Sequence, residues 1–154
     1  CFDLDRRGWQ AALMMKRFLL LFFLVLPAAA APLSVATLDA RELVFEVAVA
    51  DTAEKQRRGL MFVKDMAPQH GMVFPMQPPR IAQFWMRNTF IPLDMIFILP
   101  GGMIGEIVTR RDTQSDKPTR SRQKVSAVLE INAGEAQKLK ISIGDLVRME
   151  GVSF

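Results

Sequence analysis

The sequence predicts a mainly β fold, a single-domain β-sandwich or partly open barrel with two short helices. Apolar residues recur at every second position in several short segments, which is typical of strands with one buried face. Glycine and proline residues separate these segments at short intervals. Only two segments begin with helix-capping residues. Many short strands with few helices are typical of sandwiches and barrels.

The first helix and the strand before it are predicted from alternation and capping residues. Residues 42–50 alternate between apolar and mixed positions and form a strand. The next segment, 51–59, forms a short helix, because Asp51 or Thr52 can cap its start and Gly59 can end it. Short apolar pieces follow at 60–63 and 71–74, and prolines favour loops at 64–70 and 75–80.

The second half of the chain contains most of the predicted strands. A proline-glycine turn at 100–102 separates two of them. The polar segment 109–124 is predicted to be an exposed loop. A second helix at 132–140 follows from a capping box formed by Asn132 and Glu135. The predicted strands are 80–88, 92–99, 103–110, 124–131 and 146–150.

Residues 14–30 have the three parts of a signal peptide. Lys16 and Arg17 are followed by an apolar run at 18–26, and small residues precede an expected cleavage site near Ala30. Nine apolar residues are too few to span a bilayer, which needs about 20 residues of helix. We therefore expect a periplasmic or secreted protein with no stable membrane insertion after cleavage.

The expected signal peptide at 14–30 sets the predicted domain boundaries and the net charge of the remaining chain. Residues 1–13 are expected to be upstream sequence, and residues 31–154 to form one domain. That domain contains no cysteine, so its core must form without disulfides. It carries 16 basic and 14 acidic residues, a net charge of +2. Nothing in this balance favours a nucleic-acid partner, and export argues against one.

The segment 83–94, QFWMRNTFIPLD, concentrates the candidate binding residues. Alternation puts Trp85 and Arg87 on the polar face of the 80–88 strand, where the guanidinium can stack on the indole. Such a tryptophan is typical of a platform for a sugar or another ring. The alternative is that Trp85 covers the second face of a sandwich. Asn88 belongs to the turn that follows.

Asp94 and Glu130 are the two carboxylates placed beside buried strands. A buried carboxylate needs a partner, and we expect Asp94 to accept backbone hydrogen bonds from the turn at 88–92. Arg58 and Arg87 are other candidate partners. Paired carboxylates can also perform acid/base chemistry, so a hydrolase that uses Asp94 and Glu130 is an alternative function. The sequence does not show whether the two are close.

Methionines and the single histidine suggest another alternative. The segment 61–76 contains His70 and four methionines, and thioether and imidazole groups in an exported protein can bind Cu(I). Methionine is also an adaptable core residue. The methionines are Met61, Met66, Met72 and Met76. The sequence has none of the common phosphate-loop, zinc-protease or nucleophile-elbow motifs, and no cofactor is predicted.

The motifs RRGLMFV, HGMVFPM, FWMRNTFIPLDMIFI, VLEINAG and IGDLV occur in that order. In this respect the chain resembles the "domain of unknown function 192" family over nearly all of residues 41–150. The resemblance implies a single compact β-rich domain, often behind a signal peptide, and implies no activity. Arg87 stands where lysine is usual in the family, which keeps the charge but changes the donor geometry.

These observations predict an exported domain that binds a small molecule or an envelope glycan, and they leave open whether it is an enzyme. The predicted ligand-binding residues are Arg58, Trp85, Arg87, Asn88, Asp94 and Glu130. No resident metal is predicted, and the catalytic residues and oligomeric state are not defined by the sequence.

Overall fold

The computed structural model describes residues 30–154. The expected upstream segment and signal peptide therefore lie outside the described residues, except for Ala30. Within the described part, no helix is both long and apolar enough to cross a membrane. Seven strands and two short helices follow one another: β1 (Ala31–Ala36), β2 (Glu42–Val49), α1 (Ala53–Arg58), β3 (His70–Phe84), β4 (Leu93–Ile98), β5 (Ile104–Arg110), β6 (Thr119–Asn132), α2 (Glu135–Lys138) and β7 (Leu146–Met149).

The strands form one curled sheet in the order β5-β4-β6-β3-β2-β1-β7, which makes a half-barrel. Neighbouring strands are antiparallel except for β2 and β3, which are parallel and joined through α1. The two outer strands meet at a bridge between Met103 and Leu146. There the Ile104 N–H donates to the Asp145 carbonyl at 2.8 Å. The mainly β prediction with two short helices is confirmed.

Two apolar clusters lie on opposite faces of the central strands. Every residue of β4 is buried, as expected for a strand that is apolar on both sides. Ile96 and Ile98 belong to the first cluster, with Phe45 and Ile131. Met95 and Phe97 belong to the second, which also includes Leu60, Met76, Ala82 and Val128. The second cluster lies beneath the candidate site.

The structure corrects the loop predicted at 75–80, because β3 continues through Pro75, Pro78 and Pro79. β2 pairs with β3 only as far as Val73. Beyond Val73 that edge of β3 makes no ladder hydrogen bonds, so a proline without an N–H group is tolerated there. The register with β6 also shifts between Pro75 and Arg80, which accommodates the other prolines in an irregular stretch.

The outer half of β3 also explains why β6 begins earlier than predicted. Residues 80–84 of β3 pair with residues 119–125, which include most of the polar run at 119–124. Backbone pairing is insensitive to side-chain polarity, so this exposed segment is strand and only 111–118 remains a loop. Conversely, β3 ends at Phe84, four residues before the predicted end.

The predicted cap of the second helix is wrong. α2 begins after Gly134, whose φ is +86°, and Asn132 makes no capping hydrogen bond. The Asn132 side chain instead donates to the carbonyls of Met66 and Ala67 at 2.9 and 3.2 Å. Glu135 accepts from the Gln69 N–H at 2.6 Å. Both side chains therefore tie the start of α2 to the loop before β3.

Candidate functional site

A cavity of about 340 Å³ opens between α1, the outer half of β3 and the turn after it. This volume is at the small end of the range for small-molecule sites. Most of its wall is apolar, with polar side chains at the mouth and a single carboxyl group. Its lining consists of Ala53, Gln56, Arg57, Arg58, Gly59, Leu60, Met61, Phe74, Met76, Arg80, Ala82, Gln83, Phe84, Trp85, Thr89 and Glu130.

Helix α1 is held over the cavity by one glutamine. The Gln56 amide group donates to the carbonyls of Ala50 and Pro75 at 3.1 and 2.9 Å, which ties the helix to β2 and β3. Its Oε1 accepts from the Arg80 guanidinium at 3.4 Å. Thr52 caps the helix, as predicted, by accepting from the Lys55 N–H. These contacts fix the direction in which the end of α1 presents its side chains.

The chain turns sharply at Gly59 and then runs along the cavity. Gly59 has a φ of +48°, a region that favours glycine, and a side chain there would meet the Phe74 ring at 3.4 Å. The next residue, Leu60, enters the second apolar cluster. Phe62 donates its backbone N–H to the Asn88 carbonyl at 2.8 Å. This bond joins the turn after α1 to the turn after β3.

Aromatic rings form one wall and the rim. The Phe74 and Phe84 rings pack edge to face, with centroids 5.0 Å apart. Trp85 lies at the rim with 43% of its surface exposed, and the Arg87 guanidinium lies 5.1 Å from the indole centroid. The predicted cation–π contact is therefore present, and Trp85 is not the buried cover of a second sheet.

Glu130 is the one acidic residue of the lining, and it is only 4% exposed. On β6 it lies opposite Met72 of β3 and Met95 of β4, so its strand neighbours on both sides are apolar. No hydrogen bond or ion pair within residues 30–154 involves its carboxyl group. Burial raises the pKa of Glu130 from 4.5 to about 8, which leaves the group mostly protonated at neutral pH.

The mouth of the cavity is positively charged. Arg57 and Arg58 on α1 and Arg80 on β3 are exposed, and within the described residues none of them forms an ion pair. Arg87 and Arg110, by contrast, pair with the carboxylates of Asp116 and Asp112 at 2.6 and 2.8 Å. Three cations around an apolar hollow, with no carboxylate in the described chain to neutralise them, produce a local field that attracts anions.

Of the predicted binding residues, the structure gathers three at the cavity. Arg58, Trp85 and Glu130 belong to its lining. Arg87 and Asn88 lie outside it. Arg87 supports Trp85 and pairs with Asp116, and Asn88, with a φ of +54°, contributes its backbone carbonyl to the bond with Phe62.

Asp94 is not part of the cavity, and its predicted partners are wrong. The side chain is 1% exposed and accepts from the N–H groups of Gly134 and Ala136 at 2.9 and 3.0 Å. Its other oxygen accepts from the Thr109 hydroxyl at 2.6 Å. Asp94 thus caps the start of α2 from a neighbouring strand and makes none of these bonds with the turn at 88–92.

The hydrolase alternative is also corrected. Asp94 lies opposite Ile131 on β6, whereas Glu130 lies opposite Met95. Adjacent strand residues point to opposite faces of a sheet, so the two carboxyl groups are separated by the sheet itself. They cannot act together on one bond.

The residues of the Cu(I) alternative are distributed over different environments. Met61 and Met76 line the cavity, and Met66 and Met72 pack against the second apolar cluster. His70 is exposed, and its Nδ1 lies 2.9 Å from the Pro68 carbonyl oxygen. Among residues 30–154, no group of three or more His, Cys, Asp or Glu side chains is arranged to hold a metal ion.

Sequence reasoning missed Arg57, Arg80 and the two glutamines of the lining. Arg57 and Arg58 form the last turn of a predicted helix that ends at Gly59. Two cations next to a turn were the signal in the sequence that both could lie at one site. Arg80 comes after Pro75, Pro78 and Pro79, and the sequence predicted that a strand begins there. In the structure Arg80 instead lies inside β3, which continues along the cavity.

The comparisons with known proteins agree with this fold. The model of the DUF192 family, described as "Uncharacterized ACR", matches residues 35–149. The chain belongs to this family. A comparison with curated proteins finds no match. Within this family chain, the cavity lining includes eleven residues of the motifs noted in the sequence: Arg57, Arg58, Gly59, Leu60, Met61, Phe74, Met76, Phe84, Trp85, Thr89 and Glu130.

Two solved structures are similar to the DUF192 chain. A Sinorhizobium meliloti protein, described as a proposed transcription regulator, is 35% identical with a TM-score of 0.78; the match covers 82% of this chain and 98% of that one. A Novosphingobium aromaticivorans protein of unknown function is 38% identical with a TM-score of 0.73; the match covers 76% and 83%.

Proposed function

We propose that this DUF192 chain is an exported binding domain whose cavity takes a small organic anion with an apolar or aromatic body. The observation that carries the proposal is the arrangement of Arg57, Arg58 and Arg80 around the mouth of an apolar hollow, with no ion-pair partner for any of them among residues 30–154. The expected signal peptide at 14–30 supports action in the periplasm or outside the cell.

The apolar part of the ligand is supported by the lining. Phe74, Phe84 and Trp85 offer ring surfaces, and Leu60 and Met76 complete an apolar interior. Burying a ligand ring here would remove apolar surface from water at about 25 cal/mol per Å². A hollow of about 340 Å³ suits a molecule of one or two rings.

The anionic part is supported by the charges at the mouth. Guanidinium groups bind carboxylates and phosphates through two parallel hydrogen bonds. Since Arg57 and Arg58 have no carboxylate partner in the described part of the chain, a ligand anion need not displace one.

An envelope glycan, the other ligand class expected from the sequence, is less favoured. A neutral sugar could stack on Trp85, but its hydroxyl groups need several hydrogen-bond partners. Phe74, Met76 and Ala82 offer such hydroxyl groups no partner, and the buried polar side chains of the lining are only Thr89 and Glu130. A ring that carries one carboxylate or phosphate can pack against the aromatic wall while its anion binds the arginines at the mouth.

The test compares two probes of the same shape, 2-naphthoate and 2-naphthamide. The full chain carries Trp9→Phe, so that Trp85 is the only tryptophan and reports binding by fluorescence. We expect naphthoate to bind and the uncharged amide to bind at least about fivefold more weakly, since a charged hydrogen bond adds about 1–2 kcal/mol.

Variants assign the preference to the arginines. Arg58→Gln should weaken naphthoate binding by about 5–30-fold and leave naphthamide binding nearly unchanged. Arg148→Gln is the matched control, because this exposed arginine lies on β7, away from the cavity lining. Equal affinities for the two probes, or equal effects of the two variants, would contradict the proposal.

A further inference from the structure

Glu130 is a polar group for which residues 30–154 supply no side-chain hydrogen-bond partner. Its side chain lines the cavity and only 4% of the residue surface is exposed. No hydrogen bond within residues 30–154 uses its carboxyl group. Its oxygens border the cavity and keep some solvent access, since Glu135 Oε2 is the one fully buried side-chain nitrogen or oxygen without a partner among residues 30–154. A ligand that enters the cavity can therefore replace water as the hydrogen-bond partner of Glu130.

We propose that Glu130, as a neutral carboxylic acid, donates a hydrogen bond to an acceptor oxygen at the inserted end of the ligand. The ligand would then carry an anion at one end and a carbonyl-type oxygen at the other, with an apolar body between them. This inference rests on the proposed function, because it assumes that the anion is held at the mouth.

The surroundings of Glu130 favour the neutral form. Its neighbours across β3 and β4 are Met72 and Met95, which cannot stabilise a negative charge. The desolvation that this burial imposes holds the pKa of Glu130 at about 8. A protonated carboxyl group is a strong donor in a site from which water is excluded.

The charged groups around Glu130 do not change this assignment. On α1 they are Arg57 and Arg58, and on β3 Arg80; in the described chain none forms an ion pair with Glu130. The residues of β4 on this face are uncharged, because Asp94 points to the other side. Arginine stays protonated throughout the working pH range, so Glu130 is the titrating group of the lining.

The opposite assignment is an ionised Glu130 that binds a ligand ammonium group. The positive charge at the mouth of the cavity disfavours it. A cation would have to pass Arg57, Arg58 and Arg80. It would also have to ionise a carboxyl group that burial keeps neutral. The two assignments predict opposite preferences among ligands and can be separated directly.

The experiment uses three probes that share one body: 6-acetyl-2-naphthoate, 6-isopropyl-2-naphthoate and 6-aminomethyl-2-naphthoate. The first has an acceptor oxygen at the far end, the second is nearly the same shape without it, and the third carries a cation. At pH 6, we expect the acetyl probe to bind about tenfold more tightly than the isopropyl probe. The aminomethyl probe should bind most weakly.

Variants and pH assign the preference to Glu130. Glu130→Gln keeps an N–H donor and should retain most of the acetyl preference, whereas Glu130→Leu should abolish it. In the chain that keeps Glu130, the preference for the acetyl probe over the isopropyl probe should disappear between pH 7 and 9, because an ionised carboxylate only accepts hydrogen bonds. In Glu130→Gln it should not depend on pH.

A spectroscopic measurement covers the case in which a variant fails to fold. The infrared band of a ¹³C-labelled acetyl carbonyl should move to lower frequency on binding at pH 6 and return at pH 10. If the naphthoates bind with equal affinity and the band does not move, the inference is wrong while the proposed function stands. If the aminomethyl probe binds best, Glu130 acts as an anion. If none of them binds, the proposed function itself fails.

Discussion

Replacing Asp94 should destabilise the domain because this side chain is the one protein acceptor, within residues 30–154, for two backbone N–H groups. The N–H groups of Gly134 and Ala136 donate to one oxygen at 2.9 and 3.0 Å, at the start of α2. The other oxygen accepts from Thr109 at 2.6 Å, but Thr109 is exposed and can turn to water. The cost therefore comes mainly from the two N–H groups.

The magnitude follows from counting these groups. Each buried donor left without an acceptor costs about 1–3 kcal/mol. The Ala136 bond is buried and the Gly134 bond is partly buried, so the second loss is smaller, and Asp94→Ala should lower the free energy of unfolding by about 2–5 kcal/mol. Asp94→Asn keeps an oxygen for the two N–H groups and can donate to the Thr109 hydroxyl. It should cost about 1–2 kcal/mol, since it loses only the charge.

Urea unfolding of the full chain measures these differences through the midpoint at constant m value. Asp116→Ala is the control, because this carboxylate is 70% exposed and makes one surface ion pair with Arg87, so its loss should cost less than about 0.5 kcal/mol. Hydrogen exchange of the Ala136 amide should accelerate in Asp94→Ala. A loss below about 1 kcal/mol for Asp94→Ala, or identical losses for Ala and Asn, would refute the reasoning.

Three further predictions concern stability. Gly71→Ala places a Cβ 2.3 Å from the Glu130 carbonyl oxygen, so it should cost at least about 2 kcal/mol more than Gly101→Ala, which meets no atom within 4 Å and has only the backbone strain of a φ of +92°; equal urea midpoints would contradict this. Between pH 4.5 and 8 folded Glu130 keeps the proton that the unfolded chain releases, so stability should fall as pH rises by on the order of 3–5 kcal/mol, and this slope should be absent in Glu130→Gln. Asp145 is 1% exposed and accepts from two backbone N–H groups at 2.8 Å, so Asp145→Ala should lower the thermal midpoint by several degrees more than Asp145→Asn does.

The sequence by itself determined the fold class and the local elements that depend on near neighbours. Alternation located β2, β4 and β5 to within one or two residues, because a half-buried strand repeats every two positions. Capping by Thr52 and the turn at Gly59 were also predictable, since both depend on residues within one helical turn. The motifs were enough to indicate the family.

Only the tertiary structure decided which polar residues share a site. Arg80 and Glu130 are 50 positions apart in the chain and line one cavity because β3 pairs with β6 across a register shift. The path of β3 through Pro75, Pro78 and Pro79 depends on where β2 stops pairing, which is a property of the sheet and not of the segment. Asp94 was a candidate binding residue, yet the register between β4 and β6 places it on the face of the sheet toward α2 and Glu130 on the face toward the cavity. The physical reason is that hydrophobic periodicity fixes a side chain's face within a strand, whereas the partners across the sheet are fixed by register and by long-range backbone hydrogen bonds.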